Sequence, residues 1–175
     1  MRRFVTVIAI LAAFFAVAGR AYSDPQELSV VLSGAQEVSP PAPAGGVVTA
    51  TTARVDLRFD EGLTQVEFRL DVFKGTGVTQ AHLHCARAGI NGPIFVFLFP
   101  FTPTGVNVNG TLARGTFTNA DIIPTSGNAA CGTTVNNIAS LLEAIREGRV
   151  YANVHTLTNP AGEIRAQVFV DDVPL

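Results

Sequence analysis

The sequence predicts a mainly β protein, an antiparallel Greek-key-like β-sandwich with one short helix in a connection. Three observations carry that prediction. Apolar and charged residues alternate with period two through residues 55–72; further short extended runs follow, separated by turn residues; and one segment alone repeats its apolar residues at helical spacing.

The chain opens with Arg2 and Arg3, then an apolar run over residues 4–18 broken once at Thr6, then the small exit site Gly19-Arg20-Ala21. The run falls short of the roughly 20 apolar residues a membrane helix needs. Residues 1–21 therefore read as a signal peptide cleaved after Ala21, against the alternatives of an uncleaved anchor or a buried helix. Export to a periplasm or to the outside of the cell follows, with no membrane attachment after cleavage. Residues 22–27 read as a flexible lead, and one domain is expected over 28–171.

Cleavage removes three of the 12 basic residues and none of the 14 acidic ones, which leaves 154 residues with a net charge of −5. Lys74 is the only lysine. A mildly acidic, lysine-poor surface is a poor electrostatic match for nucleic acid or anionic lipid, so neither is expected as a partner.

Residues 27–32 begin the first strand, and Ser39-Pro-Pro-Ala-Pro-Ala-Gly-Gly46 is a loop by composition. Val55, Leu57 and Phe59 alternate with Arg54, Asp56, Arg58 and Asp60. After a turn at Glu61-Gly62, Val66, Phe68, Leu70 and Val72 alternate with Gln65, Glu67, Arg69 and Asp71. Period two puts each apolar set on one face, giving a hairpin with one buried and one wet side. Residues 78–86, 94–99, 106–118, 150–157 and 163–170 also read as extended, making about eight strands. Within 94–99, Ile-Phe-Val-Phe-Leu-Phe is apolar on both faces. It reads either as a central strand covered on both sides or as an exposed aromatic face. Val135, Ile138, Leu141, Leu142 and Ile145 form the helical stripe, with Thr133 or Thr134 as cap and Gly148 at its end.

Cys85 and Cys131 are the only cysteines, and an even count in an exported chain reads as a disulfide. Closing a loop of 46 residues stabilises by about 4 kcal/mol in the chain-entropy picture. The alternatives, a redox pair or thiolate metal ligands, lack Cys-x-x-Cys spacing.

The three histidines are His82, His84 and His155, all in predicted strands. His82 and His84 leave the same face of their strand, while His155 shares a face with Tyr151 and Asn153. If the last two strands pair, Glu163, Arg165 and Gln167 join Asn153 as polar neighbours around the imidazoles. Same-face residues on one strand lie about 7 Å apart, a span two ligands can close around one ion. Three imidazoles could thus hold Cu or Zn and leave a further position for water or a small ligand. The competing reading is three half-buried histidines, each hydrogen-bonded to a neighbour. Histidine ligands of ordinary pKa would weaken metal binding below about pH 6.5.

Leu32-Ser-Gly-Ala-Gln-Glu-Val38 with its following prolines, Ala81-His-Leu-His84 with Gly92-Pro93, Tyr151-Ala-Asn-Val-His-Thr156, and Asn159-Pro-Ala-Gly-Glu-Ile-Arg-Ala-Gln167 together resemble the CHRD (chordin-type) domain. The resemblance spans about residues 28–170 and implies a β-sandwich without a settled activity. It implies an exported, non-enzymatic binding module for a protein, glycan or matrix ligand, and sets neither the ligand nor the oligomeric state. A fainter similarity to Cu/Zn superoxide dismutases implies copper ligands at His82, His84 and His155. No histidine stands where the bridging ligand would be, and Glu163 replaces the expected substrate-guiding arginine, so dismutation is not implied. The alternative function is therefore a copper- or zinc-binding protein with a three-histidine site on a sheet face, with redox chemistry as its extension. Hydrolysis is excluded as an expectation, since no Gly-x-Ser-x-Gly elbow, zinc-protease helix or phosphate loop is present. Asn109-Gly-Thr111 reads as a turn before it reads as a glycosylation acceptor.

Overall fold

A computed structural model describes residues 26–38 and 46–170. The expected signal segment 1–21, most of the expected lead over 22–27, the proline loop and residue 171 lie outside the described residues. Among those described, no helix is long and apolar enough to cross a membrane.

Among the described residues seven strands and one α-helix follow in order: β1 (Glu27–Leu32), β2 (Thr52–Phe59), β3 (Gln65–Cys85), β4 (Ile94–Phe99), β5 (Val106–Thr118), α1 (Ile138–Arg146), β6 (Val150–Thr156) and β7 (Ile164–Gln167). All the pairings between these strands are antiparallel. The expected mainly β sandwich with one connecting helix is present, in a form nearly closed on itself.

The organising element is β3, which runs for 21 residues and serves both layers. Its first half pairs with β2 on one side and β5 on the other; its second half pairs with β4 and β6. Register breaks fall at Val72/Gly75 and Gly75/Val78, and Lys74 and Gly77 both have positive φ. Such bulges bend a strand, and here the bend carries β3 from one layer into the next. A side chain at Gly75 would meet the methyls of Val72, Val108 and Val78 at 2.8–3.0 Å, so the corner needs glycine. The sequence pattern suggests two strands here because the corner interrupts the alternation.

One layer is thus β1-β2-β3-β5 and the other β4-β3-β6-β7, and a bridge between Ser33 and Arg165 joins β1's end to β7. Leu57, Phe59, Val66, Leu70 and Val72 from the first layer meet Leu83, Ala152, Val154 and Ile164 from the second in a single core. Leu141, Leu142 and Ile145 of α1 join the same cluster, and the Cys85–Cys131 disulfide ties the α1 connection to β3.

Two local expectations change. Asn137, not Thr133 or Thr134, caps α1: its side chain accepts from Ser140 N while Ser140 Oγ accepts from Asn137 N. Strand β4 pairs only with β3 among the described residues, so it is an edge rather than a central strand. Phe95, Val96 and Leu98 are buried, whereas Phe97 stays 48 % exposed.

Candidate metal centre

The second layer carries the histidines. Cross-strand register sets His82 opposite Asn153 and His84 opposite Tyr151, while Tyr151 and Asn153 face Gln167 and Arg165. All seven side chains, His155 included, therefore leave one face of the layer. Sequence patterning suggests that this face lies open to solvent; the structure covers it. His82 is 0 % exposed, His84 and His155 are 7 %, and Asn153, Arg165 and Gln167 are buried too. The cover comes from the turn after β1, the loop between β3 and β4, and the β6–β7 hairpin, through hydrogen bonds that a sheet face alone could not supply.

The three imidazoles converge. His82 Nδ1 lies 3.2 Å from His155 Nε2, and one ligand atom from each ring falls within 4.8 Å of the others. His84 Nδ1 is 3.0 Å from the Gly92 carbonyl and His155 Nδ1 is 3.0 Å from the Pro160 carbonyl. A carbonyl only accepts, so both Nδ1 atoms carry the proton and both Nε2 atoms present lone pairs. His155 Nε2 then accepts from His82 Nδ1, which leaves the lone pair of His82 on Nε2. The Nε2 atoms of His82 and His84 are buried with no hydrogen-bond partner. Each unsatisfied acceptor costs about 1–3 kcal/mol.

Burial keeps the rings neutral. It drives His82 down to about 3, with His155 and His84 adding to the effect. His84 falls to about 4, again by burial, against the opposing hydrogen bond to Gly92. Burial lowers His155 as well, opposed by its bond to Pro160. Neutral imidazole is the form that ligates a metal, and a second bond that fixes the tautomer is how such ligands are usually oriented. The expectation of weakened binding below about pH 6.5 rested on the free histidine pKa, which this burial displaces.

The polar neighbours anticipated from the sequence sit in the same layer, but their bonds go elsewhere. Asn153 donates to Glu37 and to the Ile164 carbonyl. Glu163 accepts from Thr49, Thr156 and Asn159. Burial raises its pKa, but these bonds, together with Thr51, outweigh it and the carboxyl ends below its usual range. Gln167 donates to the Ala86 and Gly148 carbonyls. Arg165, 1 % exposed, donates to Asn91 Oδ1 and the Arg87 and Ile90 carbonyls, with its guanidinium 3.4 Å above the Tyr151 ring. That ring stacks on His84 with centroids 4.7 Å apart. Arg165 thus reaches the imidazoles through Tyr151.

Sequence reasoning passes over four contributors. Glu37 is buried beneath the turn after β1, accepts from Val38 N, and has its pKa raised by that burial. The carbonyls of Gly92 and Pro160 orient two rings, and Phe97 stands edge-on to His82 with centroids 4.7 Å apart. The motif segments contained Glu37, Gly92 and Pro160, but a main-chain carbonyl carries no side-chain sign of its role. Gly162 belongs with them: at φ 135° it lies where a side chain would come within 2.5 Å of Glu37 Oε2.

Together these features make the molecule an antiparallel, disulfide-linked β-sandwich with a covered histidine cluster. The chain matches the CHRD domain model over residues 28–168, most of its length, and belongs to that family. No curated protein and no solved structure matches it. Family membership supports a binding module of unspecified ligand, and the disulfide is consistent with export.

Proposed function

We propose that this is an exported CHRD-domain protein, released to a periplasm or the extracellular space by cleavage after Ala21, that binds one copper or zinc ion through His82, His84 and His155. The observation that carries the reading is the pair of buried, partnerless Nε2 lone pairs beside a third imidazole whose own Nε2 points into the same cluster. Two ligand atoms bonded to one ion at about 2.0–2.1 Å lie at most about 4 Å apart. One ligand atom from each ring lies within 4.8 Å of the others, and ring rotation, which also frees His155 Nε2 from its bond to His82 Nδ1, brings the three into range. Among divalent ions the Irving–Williams order favours copper at imidazole sites. A bound copper ion would supply a one-electron couple; zinc would supply a structural cross-link.

The chain's own residues do the positioning. The Gly92 and Pro160 carbonyls hold two rings in the ligating tautomer, Tyr151 fixes the plane of His84, and the loops exclude water. The test is metal retention after loading with Cu(II) or Zn(II) and gel filtration. Wild type should keep about one equivalent, and H82A/H84A and H155A should each keep at least about tenfold less, since each loses a ligand from a three-ligand site. Equal retention in wild type and variants would overturn the reading.

A further inference from the structure

The charge and the cover of the cluster say which ion it suits. Its three donors are neutral rings. The carboxylates in the same layer are committed: Glu37 accepts from Val38 N and Asn153, and Glu163 from Thr49, Thr156 and Asn159. The nearest cation, Arg165, presses on the Tyr151 ring that stacks on His84. No carboxylate is free to ligate an ion placed here, so three neutral rings leave its charge unneutralised by its ligands, and the cost of burying a charge rises with its square. A monovalent ion is therefore tolerated far better than a divalent one.

Coordination number points the same way. Zinc sites complete four ligands, and Cu(II) prefers tetragonal surroundings. Here the rings are shut in by an apolar side chain: Phe97 lies edge-on to His82, with interplanar angle 89°, and is itself 48 % exposed. The register breaks between β3 and β4 at Ala81/His82 and Leu83/His84 place Phe97 opposite His82, on the histidine face.

Resting on the metal reading above, we propose that the cluster selects cuprous copper over Zn(II) and Cu(II), with Phe97 as the shutter that denies a fourth ligand and slows exchange of the ion.

The test is anaerobic competition. Cu(I), held reduced by ascorbate, is titrated against bicinchoninate, and Zn(II) and Cu(II) against colorimetric chelators of their own. Wild type should hold Cu(I) at least about 100-fold more tightly than Zn(II), given the charge difference. X-ray absorption of the Cu(I) protein should give three nitrogen neighbours. F97A should keep the same single equivalent but surrender Cu(I) to bathocuproine disulfonate at least about tenfold faster, because an apolar cover controls solvent access; F97L should restore slow release. Zn(II) or Cu(II) binding as tightly as Cu(I), a fourth light neighbour in the wild-type spectrum, or release from F97A at the wild-type rate would each overturn the proposal while leaving a three-histidine metal site intact. Failure of wild type to retain any of the three ions would remove both readings together.

Discussion

On the layer built from β1, β2, the first half of β3 and β5, the outward residues Arg54, Asp56, Arg58, Glu67 and Arg69 pair across the surface. The Arg54–Asp56 and Arg69–Asp71 pairs close at 2.8 Å, and Arg58–Glu67 at 3.2 Å. On the other layer the outward residues His82, His84, Tyr151, Asn153, His155, Arg165 and Gln167 are all buried, with Phe97 half-exposed at the β4 edge. The alternation along both layers is the same, with apolar residues inward and polar ones outward. What differs is the partner: water serves the first face, and three loops serve the second. Period two identifies which side chains share a face, but the solvent state of that face is decided by segments far away in the chain.

Among single substitutions the largest expected effect comes from Arg165. Its buried guanidinium sits on an aromatic ring and donates to three oxygen acceptors of the β3–β4 loop. R165A removes a guanidinium that is itself buried, with its packing on Tyr151 and its hydrogen bonds, and should lower unfolding free energy in denaturant titration by about 2–3 kcal/mol. A loss below about 1 kcal/mol, the range of an exposed pair, would mean the second face is wetter than described.

Acid separates the two faces next. His82 and His84 have folded pKa values pushed below the free histidine value, so between their folded and unfolded pKa values the unfolded chain binds more protons. Their neutral, covered state is then fully tolerated above about pH 6.5, and stability falls as pH drops from there toward about 4 and then about 3. The slope is about 1.4 kcal/mol per pH unit for each such ring. Thermal melts of the metal-free protein from pH 7 to pH 4 should show that decline, and H82N/H84N should flatten it. On the open face Asp60 and Asp71 have carboxyl pKa values lowered, by bonds from Gln65 and Thr64 and from Arg69 and Thr111 respectively. Their contribution is present above the usual carboxyl pKa and is lost only as pH falls through the depressed one, a window that opens below about pH 4. A melt unchanged down to pH 4 would show that the imidazoles are not held as described.

The smallest effect belongs to Arg58, whose side chain is 51 % exposed and pairs with Glu27 and Glu67. R58A should shift stability by less than about 1 kcal/mol, and salt should shrink the difference further.

Much of this was legible from residues alone, and for definite reasons. The pairs Val55/Arg54 and Val66/Glu67 encode β2 and the start of β3 because alternation is a local property. The Val135-to-Ile145 stripe locates α1, although its cap is a side-chain geometry in which Asn137 competes with nearby threonines on equal terms. His82, His84 and His155 could be assigned to one face by counting. Their burial could not, because the groups that cover them act through main-chain oxygens at Gly92 and Pro160, and a carbonyl has no sequence signature. Gly75 and Gly77 look like a break between strands, yet they are the corner that keeps β3 continuous.

That corner has a kinetic consequence. Four different strands take their register from β3, and the last of them, β6, is made 65 residues after β3 ends, counting from Cys85 to Val150. Contacts so distant in sequence are slow to form, because the intervening chain must first be drawn closed. The β2–β3 hairpin can assemble early from neighbours; the His82–His155 pairing, 73 residues apart, belongs to the final docking of the C-terminal hairpin. A chain still folding therefore holds His155 apart from His82 and His84, and the three-imidazole cluster is complete only when the molecule has finished folding.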